Sequence, residues 1–400
     1  MIEEYLVNIN NVVAKFTLPF HIYRASSATT TFFEECNSKI YFVFSFLKIM
    51  IKKNRLILAF LFIFLIFQPG IGVCMEKETL PIPADRIFNH SPNILELPNG
   101  TLLAAWSSGT KEKSRDTAIF FSFKKPETGQ WSKPEILIDT PNRADGNPVI
   151  FLLGDEIYCF YSYLWGTGWS TAQVFYVKST LNQNKFGSGV NSIDFSWTSP
   201  KRVFPFYRMG DLARGKPIIL NSREFLLPLY KEFSGYYSYV CRFIGGKMVY
   251  SSALIRTNPG NLQPAIIPIS DAKLFMLMRP ENGGYFWQSF SQDNGKTWDK
   301  AVKREDLFNP GSGFDLLRLK SGKIAIIFND NPQNRNNLTI ALSEDEGKSF
   351  PIRKVLKEEK NVDFAYPSAI QDSKGKIHII YSVDKKEIRC VVMEEEEIYY

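Results

Sequence analysis

Two octapeptides of one design stand 52 residues apart: Ser291-Gln292-Asp293-Asn294-Gly295-Lys296-Thr297-Trp298 and Ser343-Glu344-Asp345-Glu346-Gly347-Lys348-Ser349-Phe350. In such a loop the Asp carboxylate accepts backbone N–H groups, the Gly takes a positive φ and the aromatic ring plugs the gap to a neighbouring strand. This chemistry staples a hairpin and catalyses nothing. Eroded copies survive as Gly129-Gln130-Trp131-Ser132 and Phe195-Ser196-Trp197-Thr198. Metal and thiol chemistry are poorly supplied. Only three histidines (His21, His90, His378) and five cysteines (Cys36, Cys74, Cys159, Cys241, Cys390) occur, with no CxxC pair and no HExxH, so zinc-finger and zinc-protease readings fall and no metal or cofactor is expected. Any chemistry must then rest on other residue types, placed by the elements around them.

The elements that must position them are short strands. Beyond residue 80 no long 3.6-residue period exists, whereas short apolar and β-branched runs bounded by Gly, Asn, Asp and Pro recur throughout. A turn followed by a strongly apolar strand returns with strand starts at 102, 157, 225, 274, 324 and 377, giving spacings of 55, 68, 49, 50 and 53. Six units of about fifty residues is a propeller period. Five units carry a second landmark just upstream, at Pro92, Pro148, Pro217, Pro264 and Pro367, read as proline opening the preceding strand, where its missing N–H is not needed. The second unit is lengthened at residues 182–192. The expectation is an all-β, six-bladed β-propeller of four-stranded antiparallel blades over residues 80–400.

Upstream, Lys52-Lys53-Asn54-Arg55 precedes an apolar run over residues 56–67 and a Gly-containing exit ending at Cys74. That order is a secretory signal peptide over residues 50–74, and the run is shorter than the roughly 20 residues of a membrane span. Met50 is then a plausible start, residues 1–49 an upstream extension outside the fold, and an uncleaved signal anchor the rival reading. Cys74 holds the place of a lipoprotein cysteine, but Val73 is bulkier than the residue usually found before one. Export to the cell envelope, periplasm or medium follows, and any membrane contact would run through that anchor. Cys159, Cys241 and Cys390 sit in apolar runs and read as buried free thiols. Of 48 Lys and Arg against 41 Asp and Glu, 7 and 4 fall in the first 75 residues, leaving 41 against 37. That excess is too small for a nucleic-acid binder.

The two octapeptides are Asp-boxes, also called BNR repeats, and six units bearing them resemble the sialidase (neuraminidase) superfamily over about residues 86–395. The resemblance implies a six-bladed propeller whose inner strands open onto a central site, with three arginines on a sugar carboxylate, a tyrosine nucleophile with a carboxylate beside it, and a first-blade Asp as acid/base. The substrate carboxylate would repel an anionic nucleophile, so a phenol of pKa about 10 is used and must be activated. Sialidases are thus exceptions to the two-carboxylate scheme. Carried over, Tyr366 takes the nucleophile's place, and Arg279 and Arg335 two of the clamp positions. His90 stands where the third arginine belongs, in His90-Ser91-Pro92, and Gln263 where the activating Glu belongs. An imidazole does not replace a bidentate guanidinium, and an amide is no base. Glu112 and Asp116, in the loop after the first apolar strand, compete for the acid/base role, and Glu232 could replace the missing base if its strand end reaches the axis. Asn147, Lys216, Asn309 and Asn329 sit at strand ends where sugar hydroxyls could bind. These departures resemble a divergent bacterial branch that keeps the fold.

Each residue has a plainer reading. Tyr366 could pack between blades, the arginines could be salt-bridged structure, Asp116 could cap its turn, His378 lies inside an apolar strand, and residues 394–397 make a solvated acidic tail. The reading is an exported, monomeric, sialidase-type glycoside hydrolase that removes a terminal acidic sugar from a glycan. The alternatives are a lyase or hydrolase of uronic-acid polysaccharides and a non-catalytic carbohydrate-binding propeller.

Overall fold

A computed structural model describes residues 76–181 and 195–400. The expected signal segment and upstream extension, and the lengthening at residues 182–192, lie outside the described residues. Six antiparallel sheets follow one another along the chain. Blade 1 comprises Phe88–Glu96, Leu102–Gly109, Ala118–Lys124 and Glu135–Ile138, and blade 2 Ala144–Leu153, Glu156–Leu164, Ala172–Thr180 and Lys201–Arg202. Blade 3 comprises Asp211–Ala213, Glu224–Lys231, Tyr237–Ile244 and Lys247–Ser251, with the short Ile218–Asn221 also paired to its second strand. Blade 4 runs Asn261–Pro268, Leu274–Pro280, Gly284–Ser291 and Val302–Asn309, and blade 5 Asp315–Arg318, Ile324–Phe328, Asn337–Ser343 and Ile352–Glu358. Blade 6 takes Phe364–Gln371, Ile377–Val383 and Glu387–Met393 from the C-terminal end, and its outermost strand, Glu76–Thr79, from the N-terminal side. The propeller therefore begins upstream of the expected boundary at residue 80, and this strand ties the two ends of the fold together.

The second strands begin at or within one residue of the six starts expected from the apolar runs. Those runs are nearly continuous rather than alternating because both faces are buried. In Ile324–Phe328, residues 324, 326 and 328 pack towards blade 4, while 325 and 327 pack towards blade 6. Among the described residues each gap between neighbouring blades holds an apolar cluster, and a smaller one gathers Ala144, Leu164, Leu212, Tyr230 and Leu262 from blades 2, 3 and 4. Cys159 and Cys241 are free and buried, and Cys390 is buried as well. Among the described residues no helix is long and apolar enough to cross a membrane.

The Asp-boxes form the expected staples. Asp293 accepts from Ser291 Oγ (2.8 Å), Thr297 N (2.9 Å) and Thr297 Oγ1 (2.6 Å). Asp345 repeats the pattern with Ser343 and Ser349. Gly295 and Gly347 take φ of 75° and 84°, and their N–H groups donate to the serine hydroxyls.

The prolines are placed differently from the expectation. In blades 1, 2, 4 and 6 the proline lies inside the inner strand, at a register shift between His90 and Asn93, Gly146 and Val149, Leu262 and Ala265, and Ala365 and Ser368. A bulge tolerates proline for the same reason that a strand start does, since no ladder partner awaits its N–H. The residue before each proline, Ser91, Asn147, Gln263 or Tyr366, is left-handed, with φ of 53°, 52°, 48° and 54°. Strained positions of this kind persist where surroundings over-determine them, and they gather at functional sites.

Candidate functional site

All four left-handed residues line one cleft of about 270 Å³ on the propeller axis. The bulges thus aim one side chain per blade at a common point. Glu112, Glu232, Arg279, Arg335 and His90 line the same cleft, as do Trp169, Tyr230, Tyr236, Glu281 and Lys385.

Tyr366 is the centre. Its ring is 4.3 Å from the His90 ring centroid, and the guanidinium carbons of Arg214 and Arg335 stand 5.5 and 5.8 Å from its own. Gly313 passes so close that an added Cβ would stand 2.9 Å from Tyr366 Cγ, which leaves no room for a larger residue. Arg214 is buried, and its Nη2 donates to the carbonyls of Tyr366 (3.0 Å) and Pro367 (2.8 Å), fixing the bulge from below the side chain.

The orientation of Gln263 follows from its neighbours. Arg279 Nη1 lies 3.2 Å from Gln263 Oε1, and a guanidinium can only donate, so the amide oxygen must face it. The amide nitrogen then faces Tyr366 Oη at 3.1 Å and Tyr230 Oη at 3.5 Å. Arg279 Nη1 also reaches Tyr366 Oη at 3.2 Å. The nucleophile candidate therefore receives two N–H donors, an arrangement that favours its anion. Burial raises the Tyr366 phenol, but Arg279, Arg335 and the Gln263 hydrogen bond outweigh burial and the opposing charge of Glu112, so it falls below its ordinary value.

The carboxyls divide by environment. Glu112 is ion-paired with Lys385 at 2.8 Å. Burial raises the Glu232 carboxyl above its ordinary value, and Arg279 and Lys113 only partly offset this while Glu112 adds to it. Glu232 follows the strand Glu224–Lys231, so that strand end does reach the cleft. Asp116 does not line it. It accepts from Thr110 N and Oγ1 (both 3.1 Å) and from Ser114, with Arg86 at 3.8 Å. Despite some burial, the Ser114 and Thr110 bonds carry its carboxyl below the ordinary value, so it holds its own loop.

Three further candidates are spent on structure. Lys216 pairs with Asp315 (2.7 Å) and donates to the Ala369 carbonyl. Asn309 closes a loop with Ser312 through two bonds of 3.0 and 2.8 Å. Asn329 donates to the carbonyls of Asn337 and, at 2.7 Å, Phe364, bracing the start of the blade 6 inner strand. Asn147 stays in the cleft, its Nδ2 3.4 Å from Tyr230 Oη. Arg335 is held by the Gly311 carbonyl (2.9 Å) and lies 3.8 Å from Asp363. His378 pairs with Asp372 at 2.9 Å inside its strand.

Sequence reasoning passed over Arg214, Tyr230, Trp169 and Tyr236. Arg214 sits two residues before Lys216-Pro217, where the pre-proline position drew attention to the lysine instead.

A BNR repeat-like domain model matches residues 100–379. The chain belongs to the BNR repeat-like family. This sialidase-like BNR propeller superposes on a Hadza microbial sialidase with a TM-score of 0.64 at 17% identity, over 78% of this chain and 67% of that one. A Dyadobacter fermentans protein of unknown function gives 0.64 at 14%, over 80% and 98%. A Trypanosoma rangeli sialidase in complex with sialic acid gives 0.62 at 12%, over 80% of this chain but 57% of that longer one. At such identities the likeness is one of fold. No curated protein matches the chain in sequence.

Proposed function

We propose that this propeller is an exported glycoside hydrolase that removes a terminal acidic sugar of the sialic-acid type, with Tyr366 as nucleophile. The observation that carries the reading is the setting of Tyr366 Oη, which meets Arg279 Nη1 and Gln263 Nε2 on the floor of an axial cleft. Arg279 and Arg335 supply fixed positive charge for a substrate carboxylate, and neither needs a metal to do so.

In this scheme Tyr366 attacks the anomeric carbon as a phenolate, and the positive charges of Arg279 and Arg335 offset its repulsion from the substrate carboxylate. The bond to the leaving oxygen breaks with its electron pair, and that oxygen takes a proton from a cleft carboxylic acid. The carboxylate then removes a proton from water, whose oxygen displaces the tyrosine and restores the phenolate. The arginines take over the activating work that the family assigns to a carboxylate. Among the cleft carboxyls Glu112, Glu232 and Glu281, burial raises Glu232 above its ordinary value, which suits a proton holder, while Glu112 is ion-paired with Lys385. Glu232 is therefore assigned as acid/base in preference to Glu112, whose position the resemblance favours.

The test is hydrolysis of sialic-acid α-ketosides with good and poor leaving groups. Glu232→Gln should lose roughly 100-fold on alkyl ketosides and far less on 4-nitrophenyl ketosides, because only the former need protonation. The same signature in Glu112→Gln instead would move the role to Glu112.

One observation favours a second reading. An amide at residue 263 provides no general base, which suits a binding propeller. Saturable binding of these ketosides with no release of sugar from any of them would select it.

A further inference from the structure

His90 is the cleft residue farthest from the family pattern, and its hydrogen bonds determine its tautomer. Its Nδ1 lies 2.7 Å from Ser382 Oγ, and either atom could in principle donate. Ser382 Oγ also lies 3.0 Å from the Ala365 carbonyl oxygen, which can only accept. A hydroxyl has one hydrogen, and this one is committed to Ala365. His90 Nδ1 must therefore carry a hydrogen and donate it to Ser382, which leaves Nε2 as a lone-pair acceptor.

The surroundings hold that state. Burial lowers the imidazole pKa well below its ordinary value, and the charges of Lys385, Arg335, Arg214 and Arg279 lower it further. Of the carboxylates near these cations, Glu112 is paired with Lys385, Asp363 lies 3.8 Å from Arg335 and Asp315 acts on Arg214. The His90 ring also packs against Tyr366 and Phe88, with centroids 4.3 and 5.9 Å away. Ser91, beside it on the bulge, and Glu112 share the cleft wall with His90.

We infer that His90 Nε2 is a specificity-determining acceptor that reads a hydroxyl or amide N–H of the bound sugar. The corner where the resemblance places a third carboxylate-binding arginine instead rejects an anionic oxygen and rewards a donor. A carboxylate in this cleft is then held by Arg279 and Arg335 alone, and the sugar turns a hydroxyl or its N-acyl amide towards blade 1. The inference deepens the proposed function and rests on the cleft being a sugar site.

Two measurements on the full chain test it. The first is ¹⁵N NMR of histidine-labelled protein, which has only three histidines to assign, with His90→Phe marking the signal. The expected pattern is a neutral ring protonated at Nδ1, still neutral at pH 6. A ring protonated at Nε2, or an imidazolium at that pH, overturns the inference without reference to any sugar.

The second uses Tyr366→Phe as an unreactive background and measures binding of N-acetylneuraminic acid methyl α-ketoside beside its monodeoxy and N-deacylated analogues. Removing one particular donor should weaken binding roughly 10-fold when His90 is present and leave it nearly unchanged in His90→Phe. His90→Gln, whose amide can still accept, should recover part of the loss. Binding in which no analogue shows this coupling overturns the His90 role and leaves the sugar site intact. Failure of every sugar to bind, with the Nδ1 tautomer as expected, overturns the proposed function and the inference with it.

Discussion

At the scale of single residues, the site is governed by the direction of hydrogen bonds more than by charge count. Arg279 can only donate, so Gln263 must present its amide nitrogen to Tyr366, and the phenol oxygen collects two donors. Replacing Gln263 by Glu would swap a donor for an anion at 3.1 Å from that oxygen. Gln263→Glu should therefore raise the pH at which Tyr366 ionises, and a 295 nm absorbance titration against Tyr366→Phe will read it; an unchanged titration contradicts the arrangement. Gly313 makes a second residue-scale test. A methyl group there meets the Tyr366 ring at 2.9–3.2 Å, so Gly313→Ala should cut kcat roughly 10- to 100-fold through misplacement of the ring while the fold survives. Unaltered kcat would show that the ring's seat does not matter. The roles expected of Arg279, Arg335 and Tyr366 came from the family resemblance carried onto their positions. Arg214 and Tyr230 were not legible: one lies out of register with the pre-proline positions, and the other reads as a core aromatic inside Leu227-Pro228-Leu229-Tyr230.

At the scale of elements, two devices recur, and they were unequally visible. The Asp-box could be read directly because its hydrogen bonds are local, spanning two to four residues. Its prediction is equally local. Although partial burial opposes it, hydrogen bonding from Ser349 and Ser343 draws the Asp345 carboxyl down to about 2. A folded value below the unfolded 3.8 means stability that is full above about pH 4 and is lost as pH falls towards 2. Asp345→Ala should lower unfolding free energy at pH 7 by about 1–2 kcal/mol and flatten its acid dependence between pH 4 and 2, as followed by urea titration. An unchanged acid dependence would contradict the staple. The proline bulge was half visible. The chain displays Pro92, Pro148, Pro264 and Pro367, but a missing N–H is equally acceptable at a strand start and at a bulge. Only the long-range register between inner and second strands distinguishes them, and with it the left-handed turn that points each preceding residue at the axis.

At the scale of the whole molecule, six blades share one design in which both faces of the apolar second strands are covered by neighbouring blades. Ring closure was not foreseen. Glu76–Thr79 lies just beyond the reach of the repeat and offers no apolar run, yet it completes blade 6. Glu78 ties it to blade 1, accepting from Trp131 Nε1 at 2.7 Å and pairing with Lys124. Glu78→Ala should cost roughly 2 kcal/mol and increase hydrogen exchange in the blade 1 and blade 6 edge strands first; exchange that rises uniformly round the ring would contradict a localised seam. The ring gathers side chains from blades distant in sequence onto one axis, and the account's central claim concerns what they do there. Its most direct test is the hydrolysis of sialic-acid α-ketosides by the wild-type protein and Tyr366→Phe at matched stability. The account predicts release of the free sugar by the wild type and a loss of at least roughly 1,000-fold in kcat, with binding retained, in Tyr366→Phe. Turnover undiminished in Tyr366→Phe would contradict it.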